Sequence, residues 1–162
     1  MGVDEYQDVI LNRLYLNNGD QLTEDPSTIF PSLFNGSSAW GDYDNDGDPD
    51  LIISGQTASS ASSVTRFFMN EPTGRLIEDT NQDLAGLKAG SFKFADLDQD
   101  GDQDLIMSGW NILASSNITK IYKNEPLGTF TEIETGINFS VSYGTIEVSD
   151  FDLDGDLSLI HI

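Results

Sequence analysis

The sequence predicts an all-β fold of four-stranded antiparallel blades, an incomplete β-propeller with about three blades of a longer ring. Three observations carry this expectation. An acidic run, DYDNDGDPD from Asp42, returns as DLDQDGDQD from Asp96 and as DFDLDGD from Asp150, at intervals of 54 residues. Around each run the apolar residues alternate or form short blocks, as strands require, and no stretch sustains a helical period. Each unit holds four such strand segments, and four strands in a repeat of ~50 residues mark a propeller blade.

Taken in order, residues 1–36 read as the end of a preceding blade. NRLYLNNGDQLTED (12–25) is similar to TRFFMNEPTGRLIED (65–79), with a shorter turn between its two strands. Residues 37–90 form the first complete unit. It has a short strand ending at Trp40, the acidic loop 42–50, the apolar block LIISG, an alternating strand over 65–70, the turn NEPTG and a weak fourth strand over 75–78. Residues 91–144 repeat the plan: SFKFAD, the loop 96–104, LIMSG, TKIYKNE, the turn NEPLG and a strand over 129–133. Phe92 and Phe94 should share a buried face, as should Ile146 and Val148 in TIEVSD, where residues 145–162 open a further blade. Trp40 stands where the later units have Phe94 and Val148, so it is expected in the core between blades. Tyr43, Leu97 and Phe151 interrupt the acidic loops at position 2 and are expected to anchor each loop on its blade.

Residues 1–162 thus read as a single partial propeller whose remaining blades lie elsewhere, since a closed ring needs at least about four. The third run breaks off after Asp156 into LSLIHI. Those six residues are also the translation of a transposase adapter sequence used in DNA library preparation, so residues 157–162 are expected not to be native.

Charge narrows the function. The chain carries 28 acidic against 7 basic residues, a formal charge of -21, and 14 of the acidic groups lie in the three runs. Nucleic acid is therefore not an expected partner, because phosphate binding needs clustered Lys and Arg. No apolar run approaches the ~20 residues that span a bilayer. No basic-then-apolar leader opens the chain, so a signal peptide is expected to be absent or to lie upstream. The absence of Cys excludes disulfides and thiolate chemistry.

The acidic runs have the spacing of a calcium loop. Calcium takes six to eight oxygen ligands in flexible geometry. A loop with carboxylates at positions 1, 3 and 5, a sharp turn on Gly at 6 and a returning carboxylate at 9 can wrap one ion. Asp42, Asp44, Asp46, Gly47 and Asp50 satisfy this pattern, as do Asp96, Asp98, Asp100, Gly101 and Asp104. At position 7, Asp48 or Asp102 would lend its backbone carbonyl while its side chain faces water. The third run offers Asp150, Asp152, Asp154, Gly155 and Asp156, but Ser158 stands at position 9. Two well-formed calcium sites and a weak or incomplete third are expected. Asp also suits exposed turns, but turn chemistry does not demand it at the same alternate positions in every copy. An EF-hand would need Glu at position 12, where Ile53 and Met107 stand, and magnesium favours fewer protein ligands in rigid octahedral geometry.

WGDYDNDGDPDLIISG and FADLDQDGDQDLIMSG closely resemble the FG-GAP and VCBS repeats of integrin-α-like β-propellers. The resemblance implies that each acidic loop joins the first two strands of a blade and binds calcium. It assigns that role to Asp42, Asp44, Asp46, Asp48 and Asp50, and to Asp96, Asp98, Asp100, Asp102 and Asp104; the third loop departs from the pattern at Ser158. It further implies a secreted or cell-surface protein acting in adhesion or in binding an extracellular protein or carbohydrate. The alternative is an accessory propeller of a larger extracellular enzyme, such as a polysaccharide hydrolase or lyase. No catalytic role is expected of this segment itself. Its carboxylates are committed to loops, and its single histidine, His161, lies in the tail.

Strand order should place the acidic loops and the NEPTG and NEPLG turns at one end of each blade. The connections 56–63, 80–89, 110–117 and 134–142 should fall at the other, with Trp110 and many Ser and Asn. That mixture suits sugars or extended peptides, although Trp110 also suits packing between blades. Asn35, Asn117 and Asn138 each open an N-x-[ST] sequon.

Overall fold

The computed structural model describes residues 12–57, 62–126, 128–134, 136 and 142–161, without the side chain of His161. The sequon at Asn138, residues 58–61 of one connection and most of 134–142 lie outside the described residues.

The architecture is all-β: the described residues form two four-stranded and two two-stranded antiparallel sheets, which among themselves do not close into a ring. The first hairpin pairs β1 (Tyr15–Asn17) with β2 (Leu22–Glu24). It corresponds to the last two strands of a blade, as its likeness to the later units implies. The next sheet runs in sequence order through β3 (Leu33–Gly41), β4 (Asp50–Thr57), β5 (Ser63–Asn70) and β6 (Leu76–Asp79). A second sheet repeats it with β7 (Lys88–Ala95), β8 (Asp104–Asn111), β9 (Ser116–Glu125) and β10 (Thr129–Ile133). Finally β11 (Ile146–Ser149) pairs with β12 (Ser158–His161) across the third acidic loop.

The first strands begin at Leu33 and Lys88, ahead of the repeat boundaries 37 and 91, because each continues across a β-bulge. The register shifts between Phe34 and Ser37 and again between Lys88 and Ser91. Asn35 and Ala89 take positive φ there, and a Cβ on the following Gly36 or Gly90 would strike the carbonyl oxygen of Ser54 or Ser108. Those glycines mark a close approach of two backbones.

Three apolar layers lie between successive sheets, and the 54-residue offset explains their membership. In β4, Leu51 joins Phe68, Leu76, Leu14 and Phe30 toward the first hairpin, while Ile52 turns the other way. In β8, Leu105 and Met107 face the first blade beside Ile52, Phe67 and Phe92, and Ile106 faces Ile121, Ile146, Val148 and Leu159. The second strand of each blade is therefore apolar on both faces, and this is why it reads as an unbroken block. Phe92 and Phe94, and likewise Ile146 and Val148, share buried faces as expected.

Trp40 corrects an expectation. It is 50% exposed, although its repeat counterpart Phe94 packs in the central layer. The face it occupies points toward Leu14 and Phe30, on either side of the first hairpin, which cover Leu51 and Phe68 and leave the indole half open. Trp110, paired with Lys88 and Asn117 at the opposite end of its blade, is partly buried.

Candidate metal centre

Each acidic loop links the first two strands of a blade, β3 to β4, β7 to β8 and β11 to β12. The NEPTG turn sits at the same end of its blade, where Asn70 Nδ2 donates to the carbonyl of Pro49 at 3.1 Å. The loop backbone follows one program in all three copies. Position 4 takes positive φ at Asn45, Gln99 and Leu153, and position 6 does so at Gly47, Gly101 and Gly155, with φ of 94, 96 and 98°. A Cβ on any of these glycines would meet nothing within 4 Å, so the requirement for Gly is conformational and not steric.

The position-1 carboxylate closes the turn. Asp42 Oδ2 accepts the Gly47 N–H at 3.1 Å, Asp96 Oδ2 accepts that of Gly101 and Asp150 Oδ2 that of Gly155. Position 9 serves differently. Asp50, 1% exposed, accepts the Tyr43 N–H on Oδ2 and the Asn70 N–H on Oδ1, at 3.1 and 2.8 Å. Asp104 repeats this with Leu97 and Asn124, both at 2.9 Å. One buried carboxylate thus pins its own loop to the end of the third strand. Burial pushes the Asp50 carboxyl up to about 6 and raises that of Asp104. The Asn of the NEP turns supplies the second amide. Its recurrence at the repeat offset was the only sequence signal for that contribution.

Carboxylate oxygens converge in every loop: Asp42, Asp44 and Asp50 in the first, Asp96, Asp98 and Asp100 in the second, Asp150, Asp152 and Asp154 in the third. Each of these three clusters could hold a metal ion. Asp46, Asp48, Asp102, Asp104 and Asp156 stand in the same loops outside these convergent sets. The donors are all oxygen, which suits a hard cation such as Ca²⁺. A buried carboxylate oxygen ordinarily has a partner, yet Asp42 Oδ1 and Asp150 Oδ1 are buried and accept no hydrogen bond among the described residues. Burial, and after it the charge of the neighbouring Asp46, raise the Asp44 carboxyl. The residues present fit a divalent cation.

Loop 96–104 differs. Lys123 on β9 donates to Asp98 Oδ2 and lies 3.2 Å from Asp100 Oδ2. Hydrogen bonds from Asp102 and Lys123 hold the Asp100 carboxyl below its usual value.

The loops also touch one another. Asn45 Nδ2 donates to Asp102 Oδ1 at 2.5 Å, and the Asp42 N–H donates to Gln103 Oε1. One repeat later, Gln99 Nε2 donates to the Gly155 carbonyl and to Asp156 Oδ1. The expectation that the position-7 side chain faces water is thereby corrected for Asp102, which accepts an amide from position 4 of the preceding loop, as Asp156 does in the third loop.

Of the position-2 anchors, Tyr43 is buried against Phe67 and donates its hydroxyl to Asp79 Oδ2, and Leu97 packs beside Ile106 and Ile146. Phe151 is 79% exposed, because among the described residues no sheet covers that side of β11 and β12. Of the sequons, Asn35 is exposed at the first bulge and Asn117 is partly buried in β9.

A search of curated proteins and a search of solved structures each returned no match. Residues 3–53, which include the first acidic loop, match the model of the FG-GAP-like repeat. Over those residues the chain is similar to an FG-GAP-like repeat, and the second blade with its loop 96–104 repeats the same plan.

Proposed function

We propose that the chain is a calcium-binding propeller module of a secreted or cell-surface protein, in which the ions are structural. The reading rests on one observation above all: Asp42, whose buried Oδ1 accepts no hydrogen bond among the described residues, belongs to a cluster of converging carboxylates at calcium-loop spacing. A self-repelling loop of this kind gains order when a divalent cation binds, so binding and folding are coupled. The ions hold the blade ends, and the module contributes to adhesion or to binding an extracellular protein or carbohydrate. The carboxylates have no catalytic step in this scheme.

Calorimetric titration with calcium chloride, paired with thermal melts, tests the proposal. Binding in the extracellular range of roughly 10⁻⁴–10⁻³ M is expected. Calcium at a hundredfold excess over its dissociation constant should add about 2.7 kcal/mol of stability per site. The absence of both binding heat and any melting shift on chelation would refute the calcium assignment.

A further inference from the structure

The two complete loops share all five aspartates, yet one of the differences around them brings a positive charge to the second. The third strand of the first blade reads TRFFMNE and that of the second TKIYKNE, so Met69 and Lys123 are repeat counterparts. Their strand partners correspond too: Met69 pairs with Ile77, and Lys123 with Thr131. Met69 packs against the central apolar layer. Lys123 instead sends its ammonium to Asp98 and Asp100, at positions 3 and 5 of the second loop.

The hydrogen bonding of the loops follows this difference. In the first loop the position-1 oxygen Asp42 Oδ1 is buried without a partner among the described residues. In the second, the equivalent Asp96 Oδ1 accepts the Asp100 N–H at 3.1 Å. The first loop's convergent carboxylates include the buried position-9 residue Asp50, whereas those of the second are Asp96, Asp98 and Asp100. Among the described residues no ion pair reaches the first loop's carboxylates, whereas Lys123 pairs with two of the second's.

We propose that the Lys123 ammonium is the resident cation of loop 96–104, which calcium must displace, so that this loop binds calcium more weakly than loop 42–50. The inference rests on the calcium reading above and refines it. It replaces two equal sites with one strong site and one gated by an internal competitor. The physical basis is simple: a bound ion would bring two positive charges to carboxylates that already hold one. The ammonium must then leave or share them, and either change costs binding energy.

Calorimetry with calcium chloride on the full chain carrying Asp44→Asn and Asp152→Asn isolates the second loop. Lys123→Met, which copies the first blade, is compared in that background with Lys123→Arg, which keeps the charge. Lys123→Met should tighten calcium binding about tenfold, and Lys123→Arg should leave it weak. Without metal, Lys123→Met should melt below its parent, because the carboxylates lose their neutralising partner. With saturating calcium that difference should disappear. Unchanged or weaker calcium binding in Lys123→Met overturns the inference while leaving the calcium reading intact. No binding heat in the unsubstituted chain overturns the calcium reading, and this inference with it.

Discussion

At the scale of single residues, the aspartates of a loop divide into two kinds. Asp50 and Asp104 are buried and satisfy two backbone amides each, so their work is present without any ion. Asp46 and Asp100 lie exposed near the loop tip. Asp50→Ala would strand the amides of Tyr43 and Asn70, at about 1–3 kcal/mol for each buried donor left unsatisfied. Asp46→Ala removes an exposed carboxylate whose recorded bond is to the neighbouring Asp48 N–H. Metal-free melts should therefore separate the two, with a large loss for Asp50→Ala and a small one for Asp46→Ala, while both variants lose calcium affinity. Equal metal-free melting temperatures would show that position 9 has no structural role of its own. Glycine at position 6 supplies a second residue-scale prediction. Gly47 and Gly101 sit near φ +95°, where an L-residue costs about 1–3 kcal/mol. Gly101→Ala should lower the melting temperature and weaken calcium binding together, although the added methyl meets no neighbour.

Among elements, each loop is held by its position-2 side chain on the face of its own blade. Tyr43 packs at ring-centroid distances of 4.8 Å from Phe67 and 5.9 Å from Phe130, the latter on β10 of the next blade. Leu97 does the same work by packing alone, without a hydroxyl bond. Leu97 is half-buried, so Leu97→Ser should cost about 1–2 kcal/mol, below the loss for a fully buried large side chain. It should also loosen the second loop while every carboxylate remains, so amide exchange should quicken across 96–104 ahead of the strands. Exchange unchanged in that loop would show that the anchor is dispensable. This level of the fold was legible because it is local: alternation gave the faces, the apolar blocks gave the doubly covered strands, and Gly at position 6 gave the turn. The exposure of Trp40 and Phe151 was not legible in the same way. Both occupy the position and chemistry of buried counterparts, and their burial depends on the surface laid against them. The left-handed backbone at position 4 was hidden too, since Asn45, Gln99 and Leu153 share no side-chain property that announces it.

In the whole molecule, the blades are tied by apolar layers and, at the loop end, by polar bonds that cross from one repeat to the next. Asn124, 1% exposed, donates through Nδ2 to the Tyr43 carbonyl in the first loop and the Gln103 carbonyl in its own. Asn45 reaches Asp102 beside it. No periodicity within one repeat encodes such bonds, because donor and acceptor lie 57 residues apart for Asn45 and 81 for Asn124. They have a thermodynamic consequence if both loops take calcium. Asp42 and Asp44 flank Tyr43, and Asp44 and Asp46 flank Asn45, so an ion ordering the first loop also orders the two groups that contact the second. Less ordering then remains to be done when the second ion binds, which is positive coupling through entropy. By linkage the effect is reciprocal, so either ion strengthens the other by the same factor. An exposed amide–carboxylate bond contributes about 1 kcal/mol at most, which limits its share of the coupling to about fivefold. Asn45→Ala removes this bond from the surface and leaves the carboxylates and Asn124 in place. A two-site calcium titration should then show the coupling factor move toward unity, with only a modest drop in the melting temperature of the metal-free chain from placing Ala at φ 60°. Full coupling retained in Asn45→Ala would place the communication in the buried Asn124 bonds instead, where Asn124→Ala should abolish it at a measurable cost in stability.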